Sequence, residues 1–513
     1  MKKTVFILML ITIVSKILGF ARDIVLSYFY GATDISDVYL ISMTIPTVIF
    51  ALIGKGISVG FIPMYTRIEN SEGADKALHY TNNVINLVLA ICTIIFIAGL
   101  IYTEPIVKLF ASGFKGDTLD LTVSFTRVTI VGVYFSGLNY VYLAYLQIKG
   151  VFIIPTIMGF PANLIMIASI YISSHENIYF LAIGTLVAVF SQFLLLFIFS
   201  MKSKFRYKFT LDFKDQNIRK MSLLALPAIL GTSVVQINLL IDRTLASNIT
   251  EGGIAALNYA NTLSVVIIGI FVLSISSVLY PKISKLTAKN KMDEMKLVLS
   301  GSISAVNILV VPAAVGCMFF AAPIVELLYG RGHFDAQALV MTSNALFYFS
   351  IGIVALSHRE TLSNTFYSLQ DTKTPMINAA LAMVLNILLN IMLSKIMGIG
   401  GLALATSIST IFCTFLLLIK LRKKIGRMGL KKVSISFMKI AVSSLVMGGL
   451  SRFIYDHLTS KLNIASSLLL SVFIGAVVYF IMIYFLKIKE VDLIVDEIKV
   501  KFKAGKENKV VKA

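Results

Sequence analysis

Phe180-Leu-Ala-Ile-Gly-Thr-Leu-Val-Ala-Val-Phe-Ser-Gln-Phe-Leu-Leu-Leu-Phe-Ile-Phe-Ser200 contains no charged residue. Lys202-Ser-Lys-Phe-Arg-Tyr-Lys208 follows at once, with Lys214, Arg219 and Lys220 shortly after. An uncharged run of about 20 residues is the length of one bilayer crossing. A basic cluster at its end marks the cytoplasmic side of that crossing. The same alternation runs through the whole chain. Of 513 residues, 57% are apolar and 14% are charged, against about 25% charged in an ordinary soluble domain. The mean hydropathy is +0.87. This apolar content supplies about fourteen crossings. A soluble enzyme, a disordered chain and a disulfide scaffold are excluded. A β-barrel is excluded too, because the apolar runs are continuous rather than alternating. The fold class is an all-α polytopic membrane protein.

Spans are expected near 5–31, 36–64, 80–102, 121–147, 151–173, 178–200, 219–247, 254–281, 297–320, 337–369, 376–397, 399–420, 434–455 and 464–486. With the N-terminus inside, the inner segments hold about 33 Lys and Arg and the outer loops about 6. Both termini are therefore expected in the cytoplasm, and the net charge of +20 reflects topology rather than nucleic-acid binding. A second strong inner cluster is Lys420-Leu-Arg-Lys-Lys424 with Arg427, Lys431 and Lys432. Met1-Lys2-Lys3 and the run after it are interrupted by Lys16, Arg22 and Asp23, so the segment is expected to stay as a first helix rather than be cleaved. Cys92, Cys317 and Cys413 lie far apart in apolar runs and have no disulfide or zinc spacing. The basic tail 487–513 reads either as a solvated end or as a helix on anionic headgroups.

The chain also repeats itself. Glu104-Pro105-Ile106-Val107-Lys108-Leu109 matches Ala322-Pro323-Ile324-Val325-Glu326-Leu327, and Pro63 matches Pro281 at the same offset. Leu146-Gln147 matches Leu369-Gln370, and Asn163 matches Asn386, after a small indel. The expected organisation is a six-helix half over 1–200, a basic linker over 201–218, a second six-helix half over 219–420, helices 13 and 14 over 421–486, and the tail. Two parallel halves imply a site between them, which is transporter architecture. No filter-like loop or ring of charges suggests a channel. No nucleotide loop, nucleophile elbow or His/Cys cluster suggests an enzyme or pump.

Charge inside a span costs a few kcal/mol against lipid, so each such residue is a candidate for function. Helix 1 carries Lys16, Arg22 and Asp23; helix 2, Lys55; helix 4, Arg127; helix 7, Asp242 and Arg243; helix 10, Arg359 and Glu360. Chain neighbours point about 100° apart on a helix, so pairing is expected across helices, as between Asp23 and Arg243, rather than within Arg22-Asp23. Such charges serve either as gate ion pairs or as a cationic cavity. The excess of cations favours an anionic cargo such as a phosphate or diphosphate. His358 reads as a proton relay or as a satisfied polar group. Asn386 and Asn390, Leu402 and Thr406 are i, i+4 pairs. With Asp242 their oxygens suit a hard cation such as sodium, and helix-packing hydrogen bonds would use the same residue types.

Gly19-Phe-Ala-Arg22-Asp23, Gly31-Ala and Asp37 resemble the opening helix pair of the MurJ/MviN family of lipid II flippases. So do Tyr329-Gly-Arg331-Gly332-His-Phe334-Asp335, Phe366-Tyr367-Ser-Leu369-Gln370-Asp371-Thr372-Lys373-Thr374-Pro375 and Gly400-Gly401-Leu402-Ala403-Leu404-Ala405-Thr406-Ser407. The resemblance implies a fourteen-helix transporter of the multidrug/oligosaccharidyl-lipid/polysaccharide superfamily in the bacterial cytoplasmic membrane. It implies alternating access that moves lipid II, the undecaprenyl-diphosphate-linked peptidoglycan precursor, to the outer leaflet, with cell-wall synthesis proteins as partners. The implied cargo-binding cations are Lys16 and Arg22. The family's other two cavity arginines fall at Phe50 and Thr262, where the charge is lost, and Lys55 and Arg243 are the cations available to compensate. Asp37 matches an acidic gate position, and Asp23, Arg359 and Glu360 are the further gating or pairing charges. The resemblance implies no cofactor, with a sodium ion and the membrane potential as driving force. The family's sodium site maps onto Asp242, Asn386, Asn390, the Leu402 carbonyl and Thr406, with Asn390 in place of a carboxylate. Helices 13 and 14 are the implied groove for a lipid tail. The competing expectations are a flippase for another polyprenyl-diphosphate-linked polysaccharide, a cation-coupled drug exporter, and a scaffold for cell-wall synthases.

Overall fold

The computed structural model describes residues 2–488, so the tail discussed above lies outside the described residues from 489 onward. The first nine helices are α1 (Lys2–Tyr30), α2 (Asp34–Glu72), α3 (Ala74–Ile101), α4 (Thr103–Phe110), α5 (Gly116–Thr129), α6 (Gly132–Ile148), α7 (Ile153–Ile157), α8 (Gly159–His175) and α9 (Phe180–Lys202). The next nine are α10 (Gln216–Ile249), α11 (Gly253–Ala288), α12 (Met292–Phe319), α13 (Ala321–Tyr329), α14 (Ala336–Ser368), α15 (Lys373–Met397), α16 (Ile399–Ile425), α17 (Leu430–Leu458) and α18 (Ile464–Phe485). No strand occurs among the described residues.

Ten helices are long and apolar enough to cross a membrane, and two bent pairs raise the number to twelve. The two remaining expected ranges fall on α1, which carries Lys16, Arg22 and Asp23, and on α11. The bends have local causes. Helix α10 turns by 46° between Ile229 and Gly231, just past Pro227, whose ring removes a donor and crowds the preceding turn. The span α5–α6 turns by 44° at Ile130 and Val131. There the Val133 and Tyr134 amides reach back only three residues, to the Ile130 and Val131 carbonyls. The repeated sequence folds alike in both places: each Pro-Ile-Val motif forms a short helix, α4 or α13, directly after a long apolar one.

The helices group into two compact units. Among the described residues, one comprises those up to 259, 328–341 and 387–402; the other comprises 260–327, 342–386 and those from 403 to 488. In the first unit, Phe50, Phe61, Tyr65, Tyr80, Tyr142 and Tyr145 are buried in one core. Lipid tails are as apolar as these side chains, so close packing rather than water exclusion must hold the helices together. Small residues provide it: a Cβ added at Gly184 on α9 would lie 2.1 Å from the Ser169 Cβ on α8. In the second unit, Gly475 on α18 approaches Ser451 on α17 in the same way, and the Tyr479 hydroxyl donates to the Ile308 carbonyl at 2.7 Å.

Outside the spans, the turn before α15 is tied to the end of α16. The Asp371 carboxylate accepts from the Thr374 amide (3.0 Å), the Thr374 hydroxyl (2.9 Å) and the Lys424 ammonium (2.5 Å). The Lys424 ammonium, with the Thr374 bonds, holds Asp371 at about 2, below the usual carboxylate value. A depressed carboxylate stabilises the fold above its unfolded value near 3.9, and that stability is lost as pH falls toward 2. Asp371→Asn should therefore flatten the loss of thermal stability between about pH 4 and 2 in detergent. The change should stay under about 1 kcal/mol, because Lys424 is 40% exposed and solvent screens the pair.

Candidate functional site

Three short loops of the first unit meet at one end of its bundle. Gly31 (φ +63°), Gly252 (φ +69°) and Gly332 (φ +66°) all occupy the left-handed region. Each also sits against backbone: an added Cβ would lie 2.3 Å from the His333 oxygen, 1.8 Å from the Ala32 oxygen and 2.1 Å from the Tyr28 oxygen, respectively. The His333 amide donates to the Tyr28 carbonyl at 2.9 Å. Asp37, 1% exposed, accepts from the Ala255 amide in the first turn of α11 at 2.7 Å. A carboxylate there caps unpaired donors and meets the positive end of the helix dipole. The Tyr259 hydroxyl donates to the Gly31 carbonyl at 2.9 Å, and its ring stands 4.9 Å from that of Tyr329. This end of the unit is shut by backbone contact and one buried carboxylate.

Next to this closure lies Arg22, half-buried on α1. Its Nε and Nη2 donate to Asp23 Oδ1 at 3.2 and 2.8 Å, and Nη1 lies 3.5 Å from the Met166 sulfur. The expectation that chain neighbours do not pair is therefore corrected for Arg22 and Asp23. The 100° offset applies at Cβ, and the long arginine stem reaches back around the helix to a carboxylate only 4% exposed. Arg243 instead donates to the Leu40 carbonyl on α2 at 3.1 Å. Lys16 and Lys55 are exposed from the protein surface of α1 and α2. All four candidate cations belong to the first unit. Glu360 is exposed and Arg359 half-buried in the second, and neither forms an ion pair among the described residues.

Within each unit, candidate cation ligands are in contact. In the first unit, Asn390 Nδ2 donates to Asp242 Oδ1 at 2.6 Å and Asn238 Nδ2 approaches Oδ2 at 3.4 Å, with Leu402 buried in the same unit. In the second, Asn386 Nδ2 lies 3.3 Å from Thr406 Oγ1. His358 Nε2 is 2.8 Å from Asn307 Oδ1, which accepts. No group of three or more His, Cys, Asp or Glu suited to a metal ion occurs among the described residues.

Phe50, where the family resemblance implies an arginine, is 1% exposed and stacks its edge into the notch at Gly137. It lines a cavity of about 310 Å³ in the first unit, together with Asn139, Tyr140, Thr185 and Gln192. No charged residue lines it. Of the loop closure, the sequence marks Asp37 as a gate position through the family resemblance, but not the meeting of the three loops. Its signal is a glycine in each short connection, and that pattern alone does not say which loops meet.

A bundle of membrane-spanning helices, shut at one end and carrying arginines held by carboxylate and carbonyl oxygens within its spans, is a membrane transporter. The family model described as Lipid II flippase MurJ matches residues 26–487. The chain belongs to that family, and it is a multi-pass membrane protein. A probable lipid II flippase MurJ from Vibrio cholerae is 29% identical over 461 residues, covering 87% of this chain and 88% of its own. A solved structure of a lipid II flippase MurJ in an inward closed conformation has a TM-score of 0.81 at 26% identity, covering 95% of this chain and all of that one. An inward-facing multidrug resistance transporter of the MOP superfamily has the same fold, with a TM-score of 0.69 at 16% identity over 81% of this chain and 95% of its own.

Proposed function

We infer that this chain flips lipid II from the inner to the outer leaflet of the bacterial cytoplasmic membrane by alternating access. The observation that carries this reading is the family match over residues 26–487, joined to a half-buried arginine on α1. Both termini face the cytoplasm, so the glycine-closed end faces outward. The cargo's diphosphate enters from the cytoplasm and takes Arg22 away from Asp23, with Lys16, Lys55 and Arg243 as further cations. A diphosphate offers several oxygens to a guanidinium fork where Asp23 offers one. Neutralised by the headgroup, the cationic site closes behind it, and the outer end opens. The membrane potential then draws the empty cationic site back, each unit charge contributing about 2.3 kcal/mol per 100 mV. The halves 1–200 and 219–420 are the moving bodies, helices α17 and α18 hold the lipid tail, and cell-wall synthases take the product. Arg359 and Glu360 belong to the gating charges of the second half.

Depletion of the protein in its host, followed by mass spectrometry of polyprenyl-diphosphate intermediates, tests the reading. The disaccharide-pentapeptide lipid should accumulate on the cytoplasmic leaflet. Accumulation of a different lipid-linked glycan would instead support the second reading, a flippase for another polysaccharide intermediate. The uncharged Phe50 and Thr262 favour that reading.

Sodium is the proposed coupling ion, with Asp242 and Asn390 contributing ligands. Replacing the amide by a carboxylate adds one negative charge beside Asp242, and hard cations bind in proportion to such charge. Asn390→Asp should lower the sodium concentration needed for half-maximal thermal stabilisation by about tenfold. An unchanged sodium response in that variant removes this pair from the ion site.

A further inference from the structure

The segment joining α9 to α10 has a construction that transport does not require. From Phe205 to Asp212 it runs without helix or turn along the start of α3. Three asparagines hold its backbone. Asn82 donates to the Arg206 carbonyl at 3.1 Å, Asn86 donates to the Thr210 carbonyl at 2.9 Å, and Asn83 both accepts from the Asp212 amide and donates to its carbonyl. Phe205 is 1% exposed between Tyr142 and Tyr145 and plugs the strap into the core. The Tyr207 hydroxyl adds to the clamp by donating to Asn86 Oδ1 at 2.7 Å, while its ring stays half exposed.

Beyond Phe205, four apolar side chains of this segment are uncovered. Tyr207, Phe209, Leu211 and Phe213 are 47%, 76%, 41% and 69% exposed. Around them stand five basic residues, Lys202, Lys204, Arg206, Lys208 and Lys214, against one acidic residue, Asp212. The strap also sits at a defined depth. Helix α9 has 23 residues, about 34 Å of rise, which spans a hydrocarbon core of about 30 Å and leaves its end among the headgroups. Aromatic rings and cationic stems side by side at that depth match a negatively charged bilayer interface.

We propose that residues 202–214 form an interfacial strap that docks on anionic lipid headgroups of the surrounding bilayer, with Phe209 and Phe213 seated at the headgroup–acyl boundary. The strap is the only direct chain connection between the α9 and α10 spans. Fixed to α3 by asparagines and to the membrane by its exposed aromatic rings, it holds the start of α10 at constant depth. The protein has no tryptophan, so Phe209→Trp creates a single fluorescent reporter in the full chain. Phe213→Trp provides a second reporter should the first fail to fold.

The reporter protein is placed in nanodiscs of phosphatidylcholine and phosphatidylglycerol. Brominated phosphatidylglycerol should quench the tryptophan at least twofold more than brominated phosphatidylcholine at the same mole fraction. In a Lys204→Gln, Arg206→Gln, Lys208→Gln, Lys214→Gln background, or in 1 M salt, the ratio should fall to about one. Quenching by soluble iodide without quenching by either brominated lipid, the result expected of a strap facing water or an acidic protein, overturns the proposal. Equal quenching by the two lipids in the unmodified background overturns its anionic preference.

Discussion

Arg22→Ala should reduce lipid II flipping by at least a hundredfold. Each charge-assisted hydrogen bond from a guanidinium contributes about 1.5–3 kcal/mol, and Arg22 presents two donors in one fork, at 3.2 and 2.8 Å from Asp23 Oδ1. Loss of both toward a diphosphate amounts to roughly 3 kcal/mol or more, which is about two orders of magnitude in an equilibrium constant. The same substitution deprives the buried Asp23 of its arginine, at a cost below the roughly 3–5 kcal/mol of a fully buried pair because Arg22 is 21% exposed. Stability and transport therefore need separating. Arg22→Ala/Asp23→Asn should recover most of the melting temperature and none of the flipping. Arg22→Lys keeps the charge without the fork and should fall between the parent and Arg22→Ala. Wild-type flipping by Arg22→Ala in reconstituted vesicles would refute cargo binding by this cation. It would also return the scaffold reading, since a scaffold tolerates the change.

The reach of the sequence differs between levels of structure. Every range expected to span falls on one helix or on two consecutive ones, because in lipid the backbone must satisfy itself and a long uncharged run has little alternative. The repeat was equally visible, since both Pro-Ile-Val motifs nucleate the same short helix. Pairing was less legible. The offset of neighbouring residues on a helix describes where side chains start, not where a flexible arginine ends, so the sequence points to pairing across helices, as between Asp23 and Arg243, and not to Arg22 with Asp23. The asparagine clamp of α3 escaped notice altogether. Asn82, Asn83 and Asn86 look like ordinary polar residues of a helix start, and only the fold reveals that they bind the backbone of a segment more than 120 positions away. The sequence shows an uncharged residue at positions 50 and 262, while the packing of Phe50 depends on Gly137 on another helix.

Gly252→Ala should unlock the closed end of the first unit. Two separate costs fall on that position. A left-handed backbone costs an L-residue about 1–2 kcal/mol, and Gly252 has φ +69°. The new methyl would also lie 1.8 Å from the Ala32 oxygen and 2.3 Å from the Ala32 carbonyl carbon, both of them backbone atoms with no rotamer to escape into. The loops must part, and with them the contacts that depend on their distance, from Asp37 to the Ala255 amide and from Tyr259 to the Gly31 carbonyl. Alternating access needs this end shut while the other is open, so a bias of about 1.4 kcal/mol or more shifts the populations tenfold and slows the cycle accordingly. The measurement is thiol labelling of a cysteine placed at the fully buried Ala255, in a background lacking Cys92, Cys317 and Cys413. Gly252→Ala should label at least tenfold faster than its parent and transport at a tenth of the rate or less. Gly301→Ala is the matched control: its added Cβ meets nothing within 4 Å, and alanine is the better helix former, so labelling and transport should stay unchanged. Slow labelling and normal transport in Gly252→Ala would mean that the three-loop contact is not the outer gate, and that the glycines serve only the turns in which they lie.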